Sequence, residues 1–207
     1  MASTGEELLT TQVPIKTLAL AAGIFFACQG TAIAQQCLDN VPSGGWLTPG
    51  TVTAPAPADR LAIMDVISHF FWARDSQVST GLSNLFTDDI VYELCTAGGS
   101  KQVAIRTGPD DVDAYLGNLT TFLRLLVLRT RHFESNTILN VKAANTVEGK
   151  STVLVVLQNA YSELPEFDYT ATLKTEFKKG NDGNWRFSRL TVIGDTTIPG
   201  ADGARGR

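Results

Sequence analysis

The chain has 207 residues, a length that suits one domain with appendages rather than two full domains. Hydrophobic residues make up 43% of it and charged residues 18%, an ordinary balance for a globular protein. A net charge of -4 gives no electrostatic reason to expect a nucleic acid as partner. We therefore expect one domain with its own core, flanked by segments of different composition.

Residues 1–34 resemble a secretion signal in composition. The apolar run at residues 18–27 is too short to span a bilayer comfortably, and the following Ala32 and Ala34 fit the small-x-small pattern that signal peptidase recognises. Glu6 and Glu7 are atypical of such a signal, so an uncleaved membrane anchor is the alternative. We expect a secreted or secretory-pathway protein with no stable membrane contact after signal removal.

Residues 35–57 are rich in Pro, Gly, Thr and Ala, and we expect them to form an extended arm. Removal of the signal would leave Cys37 and Cys95 as an even pair in an oxidising compartment. The two could form a disulfide that pins the arm to the domain, or both could be free thiols. The sequence leaves these alternatives open.

The domain itself is expected at residues 58–195 and opens with a helix that runs to about Arg74. Asp59 is the candidate N-cap of this helix. Three apolar residues and one acidic residue recur at three- and four-residue spacing, namely Met64, Ile67, Phe71 and Asp75. The helix therefore brings a carboxylate to the same face as apolar side chains.

The remaining elements follow in the order helix, strand, helix, strands. A short helical segment at residues 82–86 precedes a β-prone run at 90–95, and a second long helix is predicted from Asp110 to about Leu128. Four later strands are predicted, at residues 131–141, 146–162, 168–178 and 185–195. This order is typical of an α+β arrangement, with helices on one face of a strongly curved antiparallel sheet. The tail at residues 196–207 is expected to be disordered.

Three motifs, taken in their order, resemble a known family: Ala73-Arg-Asp75, Leu128-Arg-Thr-Arg-His-Phe133 and Asp182-Gly-Asn-Trp-Arg-Phe187. The chain from about residue 59 to 195 is similar to the SnoaL-like polyketide cyclase and dehydratase group of the nuclear-transport-factor-like superfamily. Around His132 it resembles scytalone dehydratases. The resemblance implies a cone-shaped α+β barrel in which the curved sheet and the N-terminal helices enclose an internal pocket. It implies cyclisation, dehydration, isomerisation or epoxide opening of small polycyclic molecules, or ligand binding alone.

His132 and His69 are the only histidines, so an imidazole acid or base must be one of these two. His132 is the better candidate, because the two-residue period puts Glu134 and Asn136 on its face and the resemblance directs that face to the pocket. From spacing alone, His132 could instead be a core histidine bonded to a backbone carbonyl. His69 is rotated away from the helix face that carries Asp75 and is expected near the surface.

Asp75 and Tyr92 complete the predicted catalytic set. A carboxylate at a helix C-terminus opposes the helix dipole and so favours a partner; the resemblance implies that Asp75 reaches into the pocket and holds the histidine or a water. Tyr92 could donate a hydrogen bond to a substrate carbonyl if its strand face points inward, or it could pack as core. Five further residues are candidates for substrate binding, namely Asn136, Trp72, Phe71, Tyr169 and Leu157.

Two positions depart from the scytalone dehydratase pattern. Leu157 aligns near its second histidine, and Arg74 replaces the tyrosine before the helix-end aspartate. A one-histidine scheme therefore fits better, with His132 moving a proton beside a carbonyl, Asp75 orienting the imidazole and Tyr92 polarising the carbonyl. This is our leading hypothesis, an enzyme that acts on a small aromatic or polyketide-like metabolite as a cyclase, isomerase or dehydratase. The alternatives are a non-catalytic small-molecule-binding module of the same fold and an epoxide hydrolase-like enzyme with two carboxylates flanking an arginine.

Motifs of other chemistries are missing from the sequence. It contains no Cys-x-x-Cys or His-Glu-x-x-His spacing, no glycine-rich nucleotide fingerprint after a strand and no Gly-x-Ser-x-Gly elbow. We expect no metal and no organic cofactor. The expected partner is a small apolar or aromatic substrate, and the resemblance also implies a homodimer.

Overall fold

The computed structural model describes residues 37, 50–78, 81–99, 101–159, 161 and 164–196, all within the unit Thr31–Arg207. The expected signal at 1–34, most of the arm and all but the first residue of the tail lie outside these residues. Within the described ranges, no helix combines the length and hydropathy that a membrane crossing requires. The regular elements are α1 (Pro57–Asp75), β1 (Phe86–Thr96), β2 (Lys101–Thr107), α2 (Pro109–Leu125), β3 (Leu128–Ala143), β4 (Thr146–Asn159), β5 (Glu166–Lys179) and β6 (Trp185–Gly194), with 3-10 turns at Leu82–Leu85 and Ala97–Gly99.

The start of α1 is set by Pro57, whose fixed φ and missing N–H suit the first helical position. The N-cap is Ala56, and no side chain caps the helix. The prediction that Asp59 is the N-cap is wrong, because its carboxylate accepts hydrogen bonds from Lys179 Nζ at 2.8 Å and Trp185 Nε1 at 2.9 Å. Asp59 therefore ties the first turn of α1 to the far end of the sheet.

The six strands form one mixed sheet in the order β2-β1-β6-β5-β4-β3. Four strand pairs are antiparallel, and β1 pairs with β6 in parallel. The α+β class with a curved sheet is confirmed, but the sheet is mixed and it stays open between the edge strands β2 and β3. Strand β2 was not predicted from the sequence, because it is a short edge strand in which the small Ala104 is the buried apolar residue.

The core lies where α1 packs on the inner face of the sheet. Ile67 and Phe71 of α1 are buried, as the helical spacing predicts. The aromatic ring of Phe70 meets that of Phe187 edge-on, with 5.7 Å between centroids, and Phe187 lies 4.7 Å from the ring of Phe177. These rings fill one end of the space between helix and sheet.

The arm is attached to the opposite, outer face of the sheet. Cys37 forms a disulfide with Cys95 of β1, so the disulfide alternative is the one observed. The Cys37 carbonyl accepts a hydrogen bond from Lys174 Nζ on β5 at 3.0 Å. Further along, Val141 N on β3 donates to the Thr53 carbonyl at 2.7 Å. The arm is thus fixed to three strands.

Candidate active site

A cavity of about 670 Å³ lies between the two helices and the inner face of the sheet. Its walls are mainly apolar and come from both helices and from β1, β3, β4, β5 and β6; they include Phe70, Phe71, Leu94, Leu119, Leu157 and Leu173. Other wall residues are exposed and border the opening, namely Phe122, Leu126, Tyr161 and Phe167. A cavity of this size and lining suits a small molecule of a few fused rings.

His132 and Asp75 meet at the wall of this cavity. His132 Nδ1 lies 2.5 Å from Asp75 Oδ1, and the His132 backbone N–H donates to Asp75 Oδ2 at 3.0 Å. Thr130 Oγ1 donates to Asp75 Oδ1 at 3.1 Å. Thr130 and His132 are two residues apart on β3 and so share a face, which crosses the last turn of α1. The start of β3 therefore supplies three donors to one carboxylate.

The surroundings keep Asp75 ionised. Burial alone would raise the pKa of Asp75, but the hydrogen bonds and charge offered by His132, with the Thr130 hydroxyl, lower it below its ordinary value. An ionised carboxylate can only accept, so Nδ1 carries the proton between the two groups. Nε2 is then the ring nitrogen that is left to exchange a proton with a bound molecule.

Phe71 fixes the plane of the imidazole. Its ring stacks on that of His132 with 5.0 Å between centroids and an interplanar angle of 21°. The imidazole lines the cavity, whereas Asp75 lines a separate depression behind it. The expectation that Asp75 reaches into the pocket is therefore wrong. Helix α1 ends on the side of His132 that faces away from the cavity. Its last residue, Asp75, therefore lies behind the imidazole ring.

Two tyrosine hydroxyls also line the cavity. Burial raises the pKa of Tyr92 well above its usual value, with a smaller rise from Tyr115 and an opposing effect of Arg74. Burial likewise raises the pKa of Tyr169 to about 12. Both hydroxyls are therefore protonated donors at neutral pH. Within the described part of the chain, neither hydroxyl has a hydrogen-bond partner.

Two predicted pocket residues lie elsewhere. Asn136 has a positive φ of 56° at a point where the β3–β4 register shifts between Ser135 and Ile138, and its side chain is exposed and donates to Thr152 Oγ1. The two-residue period from His132 stops at this irregularity, so the prediction for Asn136 is wrong. Trp72 is 69% exposed and borders the depression behind His132, so that prediction is wrong as well.

The other predicted positions line the cavity, and their roles stay predictions. Phe71, Leu157 and Tyr169 line the cavity together with Tyr92. Leu157 brings no second ionisable group to the wall. His69 is exposed, as expected from its helical rotation.

Three charged wall residues were not selected from the sequence. Arg74 lines the cavity, as do the exposed Glu166 and the half-buried Asp168. The signal for Arg74 was present, because it follows Phe71 by three residues and so shares its helix face. Among the described residues no carboxylate forms an ion pair with Arg74, and Asp75 is outside the cavity. Because Arg74, Glu166 and Asp168 all line the cavity, the epoxide hydrolase-like alternative stays a prediction. No group of His, Cys, Asp and Glu side chains in the described ranges fits a metal ion.

Comparison with known proteins gives one family and many similar folds. The family described as SnoaL-like domain matches residues 56–191. No curated protein matches the sequence significantly. Among solved structures, ActVI-ORFA from Streptomyces coelicolor is similar with a TM-score of 0.58 and 18% identity, over 70% of this chain and 100% of that one.

Two further solved structures show the same likeness. Aln2 from a Streptomyces species has a TM-score of 0.59 and 14% identity, over 69% of this chain and 95% of that one. A protein from Catenulispora acidiphila, solved in complex with S-DNPA, has a TM-score of 0.53 and 16% identity, over 68% and 96% of the two chains. At such identities the likeness establishes a shared fold.

Proposed function

The chain belongs to the SnoaL-like domain family, and on this basis we propose that it is a cofactor-independent lyase or isomerase acting on a small aromatic or polyketide-like molecule. The observation that carries the proposal is the 2.5 Å contact between His132 Nδ1 and Asp75 Oδ1 at the wall of an apolar cavity. It supports a general base whose second nitrogen is available to a bound substrate.

The first step is removal of a proton from the carbon next to a substrate carbonyl. His132 Nε2 accepts this proton, and the electron pair of the C–H bond passes to the carbonyl oxygen, which becomes an enolate. Asp75 holds Nδ1–H and stabilises the imidazolium. The Tyr92 hydroxyl, kept protonated by burial, donates a hydrogen bond to the enolate oxygen.

The second step returns the proton from Nε2 and determines the type of reaction. Return to a different carbon isomerises the substrate, whereas transfer to a leaving hydroxyl expels water and completes a dehydration. If the enolate carbon attacks a second carbonyl, the proton goes to the new alkoxide and a ring is closed. All three outcomes use the same groups and need no external oxidant or reductant.

The Cys37–Cys95 disulfide supports the further proposal that the protein matures in an oxidising compartment, because such bonds rarely persist in the cytosol. Secretion through the expected signal at residues 1–34 is part of this proposal. The homodimer stays a prediction of the resemblance.

His132→Ala tests the proposed catalysis directly. The purified protein is incubated with an extract of the producing organism and its bound molecules are weighed by native mass spectrometry. We expect the wild type to convert a retained molecule, and the variant to hold it with turnover reduced about 10²–10⁴-fold. His69→Ala is the matched control, since it removes the exposed histidine of α1 and should leave turnover unchanged. Full turnover in folded His132→Ala protein would contradict the proposal.

The second candidate function is a non-catalytic binding module. It is favoured by Leu157, which leaves the cavity wall with one imidazole where scytalone dehydratase-like sites have two. This function predicts saturable binding of an aromatic molecule that both the wild type and His132→Ala release unchanged.

A further inference from the structure

Arg74 places a positive charge at the wall of the apolar cavity. It lies in the last turn of α1 and is half-buried. Its Nη1 donates to the Leu116 carbonyl at 2.9 Å and to Thr120 Oγ1 at 3.1 Å, both on α2. These acceptors are neutral. They hold the guanidinium in position and leave its charge uncompensated.

No described carboxylate supplies the missing negative charge. Asp75, the next residue, is engaged by His132, and neither Glu166 nor Asp168 forms an ion pair with Arg74 although both line the same cavity. Within the described ranges, Nε and Nη2 of Arg74 have no hydrogen-bond acceptor. A ligand bound in the cavity would cover this guanidinium from water, and an anionic group on the ligand would compensate its charge.

One further donor, the Tyr169 hydroxyl, lies within the electrostatic reach of the same guanidinium. Burial raises the pKa of Tyr169; the positive charge of Arg74 counteracts this effect, and the charges of Asp168 and Asp75 add to it more weakly. Tyr169 is half-buried and lines the cavity together with Arg74. An O–H donor beside a guanidinium can bind the second oxygen of an anionic group.

We propose that Arg74 and Tyr169 form a subsite for an anionic oxygen, apart from the Tyr92 hydroxyl that serves the substrate carbonyl, so that the cavity selects small aromatic carboxylates over neutral molecules of the same shape. Arginine suits this role because its planar fork of N–H donors matches a carboxylate. The inference rests on the proposed function for its aromatic ligand, and it does not depend on catalysis by His132.

The test compares 2-naphthoate with its neutral analogue 2-naphthamide by isothermal titration calorimetry at pH 7. We expect the wild type to bind the carboxylate about tenfold more tightly, as for a charge-assisted hydrogen bond. Arg74→Met should abolish this preference, and Arg74→Lys should retain part of it because the charge remains. Arg129→Met is the matched control, because Arg129 is exposed outside the cavity and its loss changes the net charge equally. That variant should keep the full preference.

Several outcomes would overturn the inference. Equal affinity of the wild type for both ligands would do so even if Arg74→Met fails to fold, and so would an unchanged preference in a folded Arg74→Met or a lost preference in Arg129→Met. Failure of both ligands to bind would overturn the inference and also the proposal that the cavity binds aromatic molecules. If His132→Ala converts substrate normally but the anion preference persists, the catalytic proposal fails and the subsite stands.

Discussion

Asp75 and Glu93 are two carboxylates removed from water, each held by a hydroxyl and a basic side chain. Asp75 is bound by His132 at the cavity wall. Glu93 is 2% exposed and accepts hydrogen bonds from Arg189 Nη1 at 3.1 Å and Thr191 Oγ1 at 2.8 Å. In hydrogen-bonding terms the two sites are alike.

The two carboxylates differ in the basic side chain that binds them and in the side of the sheet on which they lie. Histidine gains and loses a proton near neutral pH, whereas arginine keeps its charge. Glu93 points away from the cavity that Tyr92 lines, toward the face that carries the Cys37–Cys95 disulfide. A buried carboxylate thus indicates a catalytic role when its partner is a side chain that can exchange a proton and that lines a cavity. When the partner is permanently charged and lies away from the cavity, as at Glu93, the carboxylate holds neighbouring strands together.

The largest effect should come from Asp75→Asn. An asparagine amide can donate to Nδ1, which would move the imidazole proton to Nε2 and remove the base, so we expect turnover to fall about 10²–10⁴-fold. The rate is measured on the molecule that the wild type converts. Arg189→Met alters the other carboxylate site and should leave the rate unchanged while the protein is folded. A near-normal rate in Asp75→Asn would remove the distinction between the sites.

Loss of the disulfide should act on stability alone. The crosslinked cysteines are 58 residues apart, and closing such a loop in the unfolded chain corresponds to about 4 kcal/mol in the chain-entropy account. The double variant Cys37→Ser, Cys95→Ser should lower the free energy of unfolding by about that amount in urea titrations. Its turnover at 25 °C should equal that of the wild type; loss of turnover in the folded variant would link the outer face to the active site.

The smallest expected effect is on the pH dependence of stability. The pKa of Asp75 is lowered by folding, so its carboxylate stabilises the protein fully above the unfolded value of about 4, and this contribution disappears as pH falls through the lower folded value. Wild type should therefore exceed Asp75→Asn in unfolding free energy by about 1 kcal/mol at pH 5, and the gap should close toward pH 2. The measurement is urea unfolding at each pH, and a gap that widens in acid would contradict it.

The fold was largely predictable because its signals are local. The apolar spacing placed the end of α1 to within one residue, but the predicted Asp59 cap put its start too late, because the helix begins at Pro57. The second helix ends at Leu125, three residues before the expected Leu128. The parallel pairing of β1 with β6 was not predicted, because it joins strands from opposite ends of the domain and has no local signal.

The site was predictable where few residue types could perform the chemistry. Only two histidines were available, and helical rotation eliminated His69. The prediction for Asn136 was wrong because the sequence pattern of alternating side chains does not reveal the irregularity in β3. The prediction for Trp72 was wrong because consecutive residues of a helix are rotated by about 100° from each other. Phe71 faces the cavity, and its neighbour Trp72 therefore points away from it. Arg74 was not predicted to line the cavity, although its three-residue spacing from Phe71 puts both side chains on one helix face.

The contacts of Cys37 and Thr53 with the sheet extend the folded unit upstream of α1. The family match starts at residue 56, and a fragment cut there would lose Cys37 and Thr53 and keep Cys95 as an unpaired thiol. The side of β1 that holds Glu93 and Cys95 would then lose its crosslink to Cys37. A recombinant protein that retains this crosslink therefore has to extend at least to Cys37, about twenty residues upstream of α1.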